Sequence, residues 1–386
     1  MSRRLTILFC GMMSAELRQG GATWAVLQYL LGLRRLGHEV FFIELLNKKS
    51  GHSEAEDLAQ TENATGFRSV MRQFGFENHA SLLLAGTENT VGLRYSELRE
   101  LAGRADMLIN TSGMLTDLSL IESISRRVYL DLDPAFIQLW QSACGIDMRL
   151  DAHTHFVTVG QAIGQAGCTV PACGREWIPT MQPVVLDEWP VAEIIRHNAL
   201  TTIANFRGYG SIEHDGIHYG QKVHSLRNCI ALPTLTKEKF AVALSIHPDE
   251  KTDLDALVTN GWLLLDPREV AGTPTSYRKF IQDSKAEFGI AKSGYVHSRC
   301  GWFSDRSACY LASGRPVIGQ ETGFSKFLPT GEGLFSFEDS DGVLAAIESL
   351  KCDYAKHSRA ARALAENHFD SDKVLVSLLD RILSTS

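Results

Sequence analysis

No run in the 386 residues approaches the roughly 20 consecutive apolar positions of a membrane-spanning helix, so the sequence predicts no membrane span. Positive charge is not in surplus either. Lys and Arg number 38 against 45 Asp and Glu, a formal net charge of −7, which argues against a general nucleic-acid binder. The eight cysteines (Cys10, Cys144, Cys168, Cys173, Cys229, Cys300, Cys309 and Cys352) form no C-x-x-C pair. Cys168 and Cys173, the closest two, lack the second pair that would complete a zinc site, so reduced thiols in a cytoplasmic protein are expected. Two N-terminal arginines precede an apolar run, as in a signal peptide. The run is short, meets Glu16 and Arg18, and has no convincing cleavage site, so it reads as a first strand. Fixed-period repeats and low-complexity tracts are also lacking.

What is present is ordinary globular composition, 44 % apolar and 22 % charged, over a length that predicts two domains. LTILFCG (residues 5–11) is a continuous apolar run of strand length, as a parallel strand buried on both faces requires. A loop ending in Gly20 and Gly21 leads into ATWAVLQYLLGLRRLG, whose apolar residues recur at helical spacing. Gly37 fits a helix C′ position, and HEVFFIE then reads as a second strand, completing a βαβ unit. Residues 105–113, 126–134 and 154–160 repeat the pattern of a strand ending in a polar or glycine-containing turn. WIPTMQPVVLDEWP (177–190) holds three prolines and is the expected linker. Six further short strands follow, at 200–206, 239–246, 261–266, 286–293, 315–320 and 332–337. The expectation is an α/β chain of two Rossmann-like domains facing each other across a cleft. Residues 1–185 form the first, 191–365 the second, and 366–386 a helix returning towards the first.

The order of these features resembles GT-B glycosyltransferases. GGATWAVLQYLLGLRRLGHEVFFIE is similar to their opening: a glycine pair, an amphipathic helix, then G-H-E-V and a strand. CGWFSDRSACYLASGRPVIGQETGFSKFLPTGEGLFSF (300–337) resembles their donor domain more closely. There a helix ends in A-S-G-x-P-V (312–317) and is followed by a T-x-G loop (Thr322, Gly323) and a G-x-G-L turn (331–334). The resemblance is thin over 45–105 and 210–235. It implies a transferase that moves a sugar, for instance from a UDP-sugar, with the nucleoside diphosphate sugar as co-substrate and no bound metal or other cofactor. Two features depart from the family. The paired glutamates of many retaining members are replaced by Gly301 and Cys309. The Arg and Lys that contact the diphosphate are not at family spacing, since the lysine after Arg207 is Lys222.

The expected donor contacts follow from the charge that develops on a leaving diphosphate. Ser304, Asp305, Arg306 and Ser307 open the ACYLASG helix, whose free N–H groups suit phosphate, with Ser304 or Asp305 as N-cap. Arg207 and, less directly, Lys222 are further phosphate candidates. Gly20 and Gly21 allow backbone to approach the donor closely. Glu321, Thr322 and Gly323 follow a strand and are expected at the donor sugar, and Trp262 is placed to stack on a base or to fill the core. Asp117, Asp131, Asp133 and Glu16 are the candidate bases for deprotonating an unidentified acceptor; helix capping competes with that role. His153 and His155 share a strand face without a third ligand, so they read as a structural pair rather than a metal site. Two other readings remain on the same scaffold: a nucleotide-sugar-binding protein without transferase activity, and a nucleotide-sugar epimerase.

Overall fold

The computed structural model describes residues 3–14, 17–47 and 57–385. The first half is built on an eight-stranded sheet: β1 (Thr6–Cys10), β2 (Glu39–Leu46), β3 (Ala80–Leu84), β4 (Thr90–Gly92), β5 (Met107–Thr111), β6 (Arg127–Asp131), β7 (His155–Thr158) and β8 (Trp177–Pro179). Their spatial order is β4-β3-β2-β1-β5-β6-β7-β8, parallel except for the β3–β4 pair. The second half carries β9 (His197–Asn205), a hairpin of β10 (Ile212–His214) and β11 (Ile217–Tyr219), then β12 (Phe240–Ser245), β13 (Leu263–Leu265), β14 (Ser284–Gly289), β15 (Val317–Gln320) and β16 (Leu334–Phe337). Its main sheet is parallel throughout, in the order β13-β12-β9-β14-β15-β16. Each sheet runs outward in both directions from its first strand. Each therefore has a switch point, between β1 and β5 and between β9 and β14, where open α/β sheets take ligands. The expected pair of Rossmann-like units is present.

Local sequence explains most elements. β1 is buried on both faces because helices cover a parallel sheet on both sides. The helix Gly20–Arg35 stops where Gly37 adopts φ +88°. The amide of Gly37 bonds Arg34 O and that of His38 bonds Leu33 O, a Schellman ending that needs a left-handed residue at Gly37. The expected linker is less irregular than its prolines suggested. Residues 177–179 form the edge strand β8, where Pro179 needs to donate no ladder bond.

The halves pack on one another directly. Trp24, in the helix Gly20–Arg35, is buried, donates its indole N–H to Pro274 O at 2.8 Å and meets Trp189 edge-on at 5.0 Å. The chain crosses between halves twice, side by side. Val184 N–H bonds Phe369 O at 2.6 Å, and Ser371 N–H bonds Val184 O at 2.9 Å. The helix Ser371–Ser384 then lies on Gly20–Arg35, so closely that a Cβ on Gly32 would come within 2.5 Å of Leu375. No described helix is long and apolar enough to cross a membrane.

Candidate functional site

A cleft of about 370 Å³ lies between the halves, over both switch points. Residues 17–22, after β1, form one wall. The other wall is the end of β9 (Ile203, Ala204, Asn205), Ser245 at the end of β12, the short helix Pro267–Val270 with Ala271 after it, and the start of the helix Asp305–Ala312. Lys222, first residue of the helix Lys222–Asn228, closes the floor. The hairpin β10–β11 explains its unusual spacing from Arg207: it is an excursion after which the chain returns to the cleft with Lys222.

Two helix starts converge here. Neither Gly20–Arg35 nor Asp305–Ala312 has a side-chain cap hydrogen bond. The amides of Gly21, Ala22, Asp305 and Arg306 line the cleft and make no hydrogen bond among the described residues. Free first-turn N–H groups with the positive end of the helix dipole form an anion site. Lys222 is partly buried and makes no hydrogen bond or ion pair among the described residues. Burial pushes its pKa down to about 7, with Arg306 and Lys292 adding repulsion. Arg306 is less free. Its Nε meets Glu287 Oε1 at 2.5 Å and its Nη1 donates to Ile203 O at 2.8 Å. Burial works against its charge, but the Glu287 carboxylate holds the guanidinium above its ordinary range.

The other sequence candidates are placed as follows. Ser304 occupies the N-cap position without capping; its hydroxyl reaches only Asp305 Oδ1, at 3.4 Å. Ser307 is buried beside Arg306, outside the cleft lining. Gly20 and Gly21 line the cleft, yet their small size answers first to the other half: a Cβ on Gly20 would stand 2.3 Å from Thr273 O, and one on Gly21 2.9 Å from the Tyr277 ring. Arg207 turns away from the cleft to pair with Glu250 at 2.5 Å. Trp262 belongs to the core of the second half, 4 % exposed, with its N–H on Ile230 O. Glu321, Thr322 and Gly323 do not line the cleft. They brace one another and the 299–302 turn, with Glu321 Oε1 accepting from Gly323 N–H and the Thr322 hydroxyl donating to Trp302 O.

None of the described candidate bases is a free carboxylate in this cleft. Asp131 is fully buried at the end of β6 and accepts from Thr158, Gln138 and the Asp133 amide at 2.8–2.9 Å. Burial raises its carboxyl to about 6. Asp133 is occupied by Lys292, Tyr209 and Tyr295 from the other half. Asp117 caps the short helix Leu118–Ile121 and takes the Tyr95 hydroxyl at 2.8 Å, beside a separate depression of about 360 Å³ in the first half. Glu16 lies outside the described residues. His153 bonds Arg149 O and Asn110, and burial lowers its pKa to about 4. Among the described residues no three His, Cys, Asp or Glu side chains come together as a metal set.

Sequence reasoning missed Arg18 and Arg268, which line the cleft, and Lys292, which stands behind it. Lys292 ends a strand-like run (AEFGIAKS), the position where charged residues face ligands. Arg18 and Arg268 carried no pattern signal; tertiary packing alone brings them together. Glu44 was also missed. It is buried at 0 % exposure and accepts from the amides of Met13 and Ser14 at 2.9 and 2.7 Å, which holds the turn after β1.

No family model and no curated protein sequence matches the chain. Solved structures do. An alpha-glucosyltransferase in complex with UDP-glucose and DNA containing an abasic site aligns over 98 % of this chain and 99 % of its own, at TM-score 0.62 and 12 % identity. HepE from Anabaena, in complex with UDP-glucose, aligns over 99 % and 100 %, at TM-score 0.60 and 12 % identity. The catalytic domain of starch synthase IV from Arabidopsis thaliana, bound to ADP and acarbose, aligns over 99 % and 100 %, at TM-score 0.54 and 12 % identity. The likeness runs end to end through both halves, so the fold is GT-B.

Proposed function

We propose that this chain is a glycosyltransferase that moves a sugar from a nucleoside diphosphate sugar to an acceptor, without a bound metal. The observation that carries the reading is Lys222, an amine with no partner among the described residues, set in an interdomain cleft where four helix-start amides are likewise unbonded among them. A diphosphate diester supplies the negative charge that arrangement needs. As the sugar–oxygen bond breaks, charge grows on the departing phosphate, and fixed N–H groups, Lys222 and the nearby guanidinium groups of Arg18 and Arg306 stabilise it without reorganising. This is the role a metal ion fills elsewhere. The solved relatives hold UDP, UDP-glucose or ADP, which favours a nucleotide sugar over other diphosphates.

The test is thermal-shift titration with UDP, GDP, dTDP, ADP and their glucose conjugates. Ligand at ~100 Kd stabilises by about 2.7 kcal/mol, and the shift is lost in Lys222→Met. No shift with any nucleotide ends the reading. A donor that binds but is neither hydrolysed nor transferred points to a binding protein of the same fold, and sugar conversion without nucleotide release to an epimerase. Acceptor trials start with glycans and duplex DNA, because solved relatives hold acarbose and DNA.

A further inference from the structure

Three of the cations around the cleft hold carboxylates of their own. Glu287 is held by Arg306 at 2.5 Å, Asp133 by Lys292 at 2.8 Å and Asp266 by Arg268 at 3.1 Å. Asp305 lines the cleft without an ion pair among the described residues, and it is the one carboxylate left to face the lysine from the helix Asp305–Ala312. Against it stand Arg306 on that helix and Lys292 beyond the end of β14, while Arg18, Arg268 and Tyr277 also line the cleft. Lys222 therefore has no ion-pair partner among the described residues, in a place that water only partly reaches.

We infer, building on the donor reading above, that a nucleotide sugar enters this cleft together with one proton, which the Lys222 amine takes up. The amine lone pair bonds a proton drawn from the buffer, and no other bond changes. In the empty protein the loss of water, with smaller repulsion from Arg306 and Lys292, opposes the ammonium form, in keeping with a pKa near 7. The two negative charges of a diphosphate diester reverse that balance and hold the ammonium in place. Above about pH 7, affinity then falls with rising pH, by up to about tenfold per unit for a single linked proton.

Calorimetric titration at about pH 8, repeated in buffers of low and high ionisation enthalpy, reads the proton directly. UDP-glucose and ADP-glucose are suitable probes because a diphosphate diester has no proton of its own to exchange near neutrality. The expected result is uptake approaching one proton per donor at about pH 8 and close to none at about pH 6. Lys222→Arg, whose charge is permanent, is expected to bind with no uptake at either pH. Donor binding with an enthalpy independent of buffer overturns the inference and leaves the donor reading standing. Equal uptake by Lys222→Arg overturns it as well, by assigning the proton to another group. No binding of either probe by the unaltered protein removes both. The wild-type pH series decides the matter even where the variant does not fold.

Discussion

Asp133 and Lys292 clasp each other across the two halves: the ammonium lies 2.8 and 2.9 Å from the two carboxylate oxygens. Tyr209 and Tyr295 add their hydroxyls to the same carboxylate, and the rings of Phe136, Tyr209 and Tyr295 surround the ammonium at 4.4–5.1 Å. Asp133 was read from the sequence as a candidate base at a strand end. Four contacts from the opposite half make it a strut instead. Both charged side chains are mostly buried, so removing one strands the other. Lys292→Met is expected to lower stability by about 2 kcal/mol. A double-mutant cycle with Asp133→Asn should show coupling of at least ~1 kcal/mol; additive effects would mean the clasp does not form.

Lys222→Met should behave in the opposite sense. A native pKa of about 7, below the ordinary 10.5, means the folded state binds fewer protons than the unfolded state between those values. Stability therefore rises with pH across that window, and below it the strain of the buried charge is fully present. The methionine variant should be more stable than the parent at about pH 6 by on the order of 1 kcal/mol, lose that advantage towards about pH 10, and bind nucleotide poorly. Denaturant melts at both pH values check this. A variant less stable at every pH would refute the assigned burial of the charge.

Much of this architecture was legible. The eleven strands read from apolar runs and turn residues all appear, because parallel strands covered on both faces leave a dense local signature. The strands missed were short or in poor sequence context: β3 and β4, β8 within the proline-rich stretch, and the β10–β11 hairpin. The cleft was less legible. Whether a cation serves a ligand depends on whether a carboxylate far along the chain has claimed it, as Glu250 claims Arg207 and Glu287 claims Arg306. Trp262 was equally undetermined, since an indole suits a core and a nucleobase alike. Lys222 was the weakest phosphate candidate by spacing, and only the folded hairpin shows how it regains the cleft.

Asp131 offers a pH readout of the first half. Its carboxyl titrates near 6 when folded against an ordinary 3.8, so between those values the native state holds more protons than the unfolded state. Stability attributable to Asp131 falls as pH rises through that window. Asp131→Asn removes the slope: relative to the variant, the parent should lose on the order of 2 kcal/mol between about pH 4 and pH 6. Parallel urea melts across that range test it, and identical pH profiles would contradict the buried carboxyl.

Gly20→Ala examines the seam between the halves. The added methyl would stand 2.3 Å from Thr273 O and 2.7 Å from Ala271 O, both backbone atoms with little freedom to yield. The expected loss is at least about 2 kcal/mol, accompanied by weaker nucleotide binding as the cleft wall shifts. A thermal melt within a degree of the parent would show that the halves adjust their spacing freely.

The helix Ser371–Ser384 covers Gly20–Arg35, and the ion pair Arg35–Asp372 joins residues 337 positions apart. During synthesis the earlier helix leaves the ribosome with its outer face bare, and translation must pass through the whole second half before its cover is made. The first half is thus completed last. Until then its exposed leucines are a natural target for chaperones, and a pause or truncation shortly before residue 371 would leave the helix Gly20–Arg35 still open to aggregation.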